Sequence, residues 1–111
     1  MLAIYSEFAG ARGKSLSGIN PGSDEFAFSR SDAIELIDLL MKNSVAIVGG
    51  DVMKYLDGRL EYVYANWFCS RKELESHAEY VNRSGLLALK YVSDFVAIGG
   101  YEPQFVLVQE R

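Results

Sequence analysis

Reactive side chains are scarce in this sequence. Its 111 residues include one cysteine, one histidine and two prolines. A lone Cys69 excludes an internal disulfide and fits a reducing compartment. With one histidine, His77, as the only other soft ligand, a zinc site lacks ligands, so neither a metal nor a cofactor is expected. No wholly apolar run approaches the ~20 residues needed to cross a bilayer. The opening Met1-Leu2-Ala3-Ile4 has no basic segment ahead of it and does not read as a secretory signal, so a cytoplasmic location is expected. Cations are also in the minority, 11 against 15 acids, for a net charge of −4. Direct nucleic-acid binding needs clustered cations that displace counterions, so it is not expected. A basic protein partner suits the charge better.

What is present reads as an ordinary folded globule, with 50% hydrophobic and 23% charged residues. The length fits one domain, residues 1–111, with no internal repeat, charge block or low-complexity stretch. Leu2, Ile4, Tyr5 and Phe8 line one face of a short helix only weakly. Gly10, Gly13, Gly18 and Pro21-Gly22-Ser23 mark a loop-rich stretch, and residues 1–17 carry no firm pattern.

From Glu25 the pattern sharpens. Glu25-Phe26-Ala27-Phe28 reads as a short strand, and Ser29 as the N-cap of a helix over 30–43, with Asp32 in its first turn. Ala33, Ile34, Ile37, Leu40 and Met41 recur there at helical spacing. Val45-Ala46-Ile47-Val48 reads as a buried strand interrupted by Gly49-Gly50 and resumed over 51–56. Asp57-Gly58 is a two-residue hairpin signal, because a type I′ turn needs positive φ at both positions. Closing there pairs Leu56 with Arg59, Lys54 with Glu61, Val52 with Val63 and Asp51 with Tyr64. It places Met53, Tyr55, Leu60, Tyr62 and Tyr64 on one side, expected to face the core, and Lys54, Arg59 and Glu61 on the other. Ser70-x-x-Glu73 has the form of a capping box, predicting a second helix from about Arg71 to 96 through Leu74, Ala78, Val81, Gly85, Ala88, Val92 and Phe95. Phe105-Val106-Leu107-Val108 is a last buried strand. The order β-α-β-β-α-β predicts an α+β fold: a small antiparallel or mixed sheet around a central hairpin, with two main helices on one face.

The catalytic inventory is thin. His77 sits within a helical pattern, a surface or packing position, and Cys69 has no histidine beside it to activate the thiol. The hairpin register puts Asp51 and Glu61 on opposite faces, so they fail as an acid–base pair. No catalytic residue is expected. Gly49-Gly50-Asp51 permits close backbone approach, which either a strand bulge or a contact with a ligand requires. Asn66-Trp67-Phe68 ends the hairpin, with Trp67 either closing the core or serving as an interface anchor.

The segments Phe26–Ala33, Val45–Val52 and Asn66-Trp67-Phe68 together resemble the family-40 type of polymorphic-toxin immunity protein. Tyr80-Val81-Asn82-Arg83-Ser84 and Phe105–Val108 fit the same pattern, and the likeness runs over about residues 18–109. Where the family tends to carry Tyr or a similar residue after the Trp, this chain has Phe68. The resemblance implies a small non-enzymatic cytoplasmic protein that binds the C-terminal domain of a cognate secreted toxin, and a basic nuclease fits the charge. On that reading Asp51, Glu61, Tyr64, Asn66 and Trp67 are the expected contacts, with Gly49, Gly50, Asp57 and Gly58 shaping the backbone. The alternative is a small-ligand binding domain or enzyme subunit using Gly49-Gly50-Asp51, with Tyr64 or Trp67 stacking on the ligand. A homodimer joined through the terminal strand is a third reading, and monomer or dimer stays open.

Overall fold

The structure, a computed structural model, describes residues 3–110. In chain order its elements are helix α1 (Ala3–Arg12), strand β1 (Lys14–Ser15), a 3-10 turn at Leu16–Gly18, β2 (Phe26–Phe28), α2 (Arg30–Lys42), β3 (Ile47–Leu56), β4 (Arg59–Phe68), α3 (His77–Asp94) and β5 (Glu102–Gln109). The strands form one antiparallel sheet in the order β1-β2-β5-β3-β4. The fold is therefore α+β, with α2 and α3 packed on one sheet face, as the sequence pattern predicts. The terminal strand β5 lies between β2 and β3 and is paired with β2 only at Phe105 and Val106. Pro103 is tolerated in β5 because β2 reaches only Phe105 and Val106, leaving the Pro103 side of the strand unpaired there.

Local chemistry explains most boundaries. The Ser29 hydroxyl accepts from Asp32 N at 3.2 Å and starts α2, which buries Ala33, Leu36, Ile37 and Leu40. In α1, Tyr5, Phe8 and Ala9 are buried, with the Tyr5 and Phe8 rings packed on Phe28 at 6.2 and 5.7 Å. Leu2, also assigned to that face by pattern, lies outside the described residues. The second long helix begins later than Ser70-x-x-Glu73 predicts. Its reciprocal cap is Ser76 with Glu79, and it ends at Asp94 rather than near 96. The intervening segment is held in a turn by other partners. Tyr80 donates its hydroxyl to Cys69 O at 2.5 Å, and Arg83 bonds Ser70 O at 2.6 Å and Glu75 at 2.7 and 2.8 Å. Leu74, expected on the apolar stripe, instead has φ +67° and is fully exposed.

The sheet has two apolar faces of unequal weight. Phe28, Ile47, Val52, Trp67, Phe105 and Leu107 join α1, α2 and α3 in the main core. The opposite face holds a smaller cluster of Met53, Leu60, Val106, Ala27 and Leu16, with Tyr55 packed against it. The expectation that the Met53 and Leu60 side faces the main core is therefore corrected. Alternation assigns the two sides properly, but both carry apolar residues, and the helices choose the Val52 side. The strand predicted from Val45 starts at Ile47 and includes Gly49-Gly50, with a register shift against β5 between Ile47 and Gly49.

The hairpin turn falls at Asp57-Gly58, with φ +53° and +75°, and pairs Leu56 with Arg59 and Lys54 with Glu61 as expected. Beyond Met53–Tyr62 the expected register fails. Asp51 pairs with Asn66, not Tyr64, because Val63, Tyr64 and Ala65 together oppose Val52. Two extra residues in β4 make a bulge, and Tyr64 within it takes φ +62°. At Gly58 an added Cβ would meet nothing within 4 Å, so substitution there tests the backbone alone. We expect Gly58→Val to destabilise by about 1–2 kcal/mol, the cost of holding a side-chain-bearing residue at positive φ. An unchanged denaturation midpoint would contradict the turn assignment.

Candidate functional site

The outer sheet face, away from α2 and α3, is only half covered. Leu16 packs over Met53, Leu60 and Val106 at one end. Towards the other end, β3 presents Gly49 between its register partners Phe68 on β4 and Val108 on β5. No side chain rises between those two walls. One residue pair along, Asp51 stands beside Asn66. A groove of about 240 Å3 results, lined by Val48, Gly49, Gly50, Asp51, Asn66, Trp67, Phe68 and Val108. Phe68 is 79% exposed although it is fixed within a strand.

Both glycines are needed, and the strand irregularity that one reading of Gly49-Gly50 predicts lies against Gly49, where the β3–β5 register shifts between Ile47 and Gly49. A Cβ on Gly49 would run into the backbone of β4, with Trp67 C at 3.2 Å and Phe68 Cα at 3.3 Å. A Cβ on Gly50 would overlap the Trp67 indole and the Val106 carbonyl. The bare Gly50 backbone thus seats the indole, whose other side stacks on Tyr91 with centroids 4.5 Å apart. Trp67 is left 8% exposed and its ring belongs to the main core. Its Nε1 is buried and finds no acceptor among the described residues.

The sequence-predicted contacts therefore separate. Asp51 and Asn66 meet on the outer face. Trp67 supports that face from beneath, through its backbone and the indole packed against β3. Tyr64 projects from the bulge, 90% exposed. Glu61 is also exposed but pairs with Lys54 on the opposite face, along the hairpin arm. Sequence pattern does not single out Phe68 and Val108 as the groove walls, because their pairing across Gly49 depends on β5 lying beside β3.

Asp51 is the electrostatic oddity of the groove. It is partly buried, and among the described residues no side chain or amide donates a hydrogen bond to its carboxylate. Burial alone raises its pKa above the ordinary carboxylate range. Burial, and then the Asp51 charge, raise the Tyr91 hydroxyl as well. By contrast, the groove at the hairpin end, about 390 Å3 and lined by Lys14, Tyr55 and Arg59 among others, has its lysine already engaged. Lys14 Nζ lies 4.7 Å from the Tyr55 ring and donates to Gln104 at 3.3 Å.

The two reactive side chains have structural partners. His77 Nε2 lies 2.8 Å from Ser44 O, and its Nδ1 lies 2.9 Å from Arg71. Cys69 is buried and accepts from Arg83 at 3.1 Å. Among the described residues there is no group of three or more His, Cys, Asp or Glu placed to hold a metal, and no helix long and apolar enough to cross a membrane.

Residues 15–109 match the immunity protein 40 family, spanning both walls of the groove and every strand that floors it. The chain belongs to that family and is an immunity protein of a toxin system. No curated protein matches it.

The ionised Asp51 carboxylate carries a desolvation cost that the unfolded chain lacks. With its pKa raised on folding, the unfolded state holds fewer protons as pH rises through the ordinary carboxylate value, so ionisation subtracts stability. Asp51→Asn should therefore melt at or above the wild-type temperature at pH 7, with the gain shrinking as the pH falls towards about 4 and absent below it. A lower melting temperature at pH 7 would show that the carboxylate supports the fold.

Proposed function

We propose that this protein neutralises its cognate toxin by forming a stoichiometric complex, acting in the cytoplasm and by binding rather than by catalysis. The observation that carries this reading is the open half of the outer sheet face, where Asp51, Asn66 and Phe68 are set on paired strands around a bare glycine, within the span that matches the immunity family. A surface held by backbone pairing loses little freedom on binding, which favours tight association. Tyr64 extends the same strand towards the partner. A bulky side chain at φ +62° is costly backbone geometry, and its reward in the free protein is small because the ring is solvated. The bulge also blunts the β4 edge against unwanted strand pairing.

Net charge of −4 favours encounter with a basic toxin domain, and a nuclease, which must itself attract phosphate, meets that description. Glu61 contributes to this steering from the exposed hairpin arm, whereas Asp51 and Asn66 act in the bound state. Trp67 serves the interface indirectly, by fixing β4 against β3.

Mixing the purified chain with the toxin domain encoded beside it should give a 1:1 complex and abolish toxin activity at equivalence. Glu61→Lys should keep the wild-type melting temperature but slow association several-fold at low ionic strength, the difference fading as salt approaches 1 M, where the Debye length is ~3 Å. Catalytic loss of toxin, continuing beyond equivalence at substoichiometric protein, would contradict a binding mechanism.

A further inference from the structure

We propose that the Asp51 groove is a receptor for a single arginine side chain of the toxin, with the guanidinium paired to Asp51 and stacked on Phe68. This assignment rests on the toxin-binding reading above. The groove lining contains one charged residue, the Asp51 carboxylate, and no cation. No described residue donates to that carboxylate, so its acceptor sites remain open beside the apolar Phe68 and Val108 of the groove lining. A partly desolvated carboxylate gains from pairing with a cation, and no described side chain supplies one in the free protein. A cationic donor from outside provides that pairing.

Several features select arginine over lysine. A carboxylate offers two oxygens to a planar fork of N–H donors, which a guanidinium satisfies in a bidentate way and an ammonium does not. The Phe68 ring, 79% exposed and fixed at the end of β4, provides a face on which a planar cation can lie. Asn66, the register partner of Asp51, offers its side-chain carbonyl to a remaining guanidinium N–H. Gly49 leaves the gap between Phe68 and Val108 unfilled, so the arginine stem can cross bare backbone. The volume of about 240 Å3 suits one long side chain and is small for a drug-sized ligand, which usually needs ~300–1,000 Å3. The raised pKa of Asp51 is consistent with a site that gains most when a cation arrives.

The direct test titrates isotope-labelled protein with N-acetyl-arginine methylamide, using the matched lysine and citrulline compounds as controls. Citrulline retains the shape of arginine and removes the charge. The expected result is saturable shifts of the Gly49, Asp51, Asn66 and Phe68 amides with arginine, weaker ones with lysine and none with citrulline, all lost in Asp51→Asn. Absent shifts, or shifts spread evenly over surface acids and unaffected by Asp51→Asn, overturn the groove assignment. In a second arm, the adjacent toxin domain should dissociate from Asp51→Asn about tenfold faster or more than from the wild-type chain, as the loss of a charge-assisted pair implies. Equal rates overturn the arginine site while leaving toxin binding intact, whereas failure of the wild-type chain to bind overturns the functional reading itself. Sedimentation of the free protein covers the remaining occupant. A concentration-dependent dimer abolished by Phe68→Ser would assign the face to a second copy and overturn the proposal.

Discussion

The packing of the Trp67 indole onto the naked backbone of Gly50 is the contact on which the rest of the arrangement depends. It is a three-part stack, with Tyr91 from α3 on one side of the ring and β3 on the other. The ring ties β4, which has a neighbouring strand on only one side, to both the sheet and the helical layer. Because adjacent residues on a strand point to opposite faces, burying Trp67 inward turns Asn66 and Phe68 outward. The position of the proposed binding groove is thus a consequence of core packing, with the indole acting as its foundation. The arrangement leaves Nε1 without an acceptor, a cost of about 1–3 kcal/mol for a buried donor, which the aromatic burial must outweigh.

A second fixed point lies just beyond β4. Arg83 holds Glu75 through paired bonds and reaches back to Ser70 and Cys69, so the chain leaving Phe68 cannot begin its helix at once. Its guanidinium, together with the Lys72 amide, holds the Glu75 carboxyl down at about 2. This lowered pKa means the clamp supports the fold above the ordinary Glu range and weakens as pH falls from there towards 2. At physiological pH the Glu75 carboxylate is ionised and the clamp is in place, so Phe68 is carried on an element anchored at both ends.

Much of the fold is legible in the sequence because it depends on local signals. Ser29 and the 3.6-residue stripe from Ala33 to Leu40 define α2, and Asp57-Gly58 with the Lys54–Glu61 pair defines the hairpin. The failures have equally specific causes. Alternation counts residues, and the bulge at Val63–Ala65 inserts extra ones without the glycine that would announce positive φ, so the Asp51 pairing comes out wrong. Ser70-x-x-Glu73 and Ser76-x-x-Glu79 look alike as caps, and what separates them is Arg83, a full helical segment away. Of the candidate site, the Gly-Gly-Asp and Asn-Trp elements stand out as strings. Their union with Val108 into one groove required the placement of β5 beside β3, a long-range pairing with no local signature.

The outer half-face is the proposed working surface, with the helical layer as its support. Hydroxyl-radical footprinting of the free protein and of its complex with the toxin domain reads both surfaces in one experiment. Oxidation of Phe68 and Val108 should fall sharply in the complex, while Leu86, exposed on α3 on the far side of the molecule, should be oxidised as in the free protein. Protection of Leu86 with Phe68 unchanged would contradict the account and move the interface to the helices.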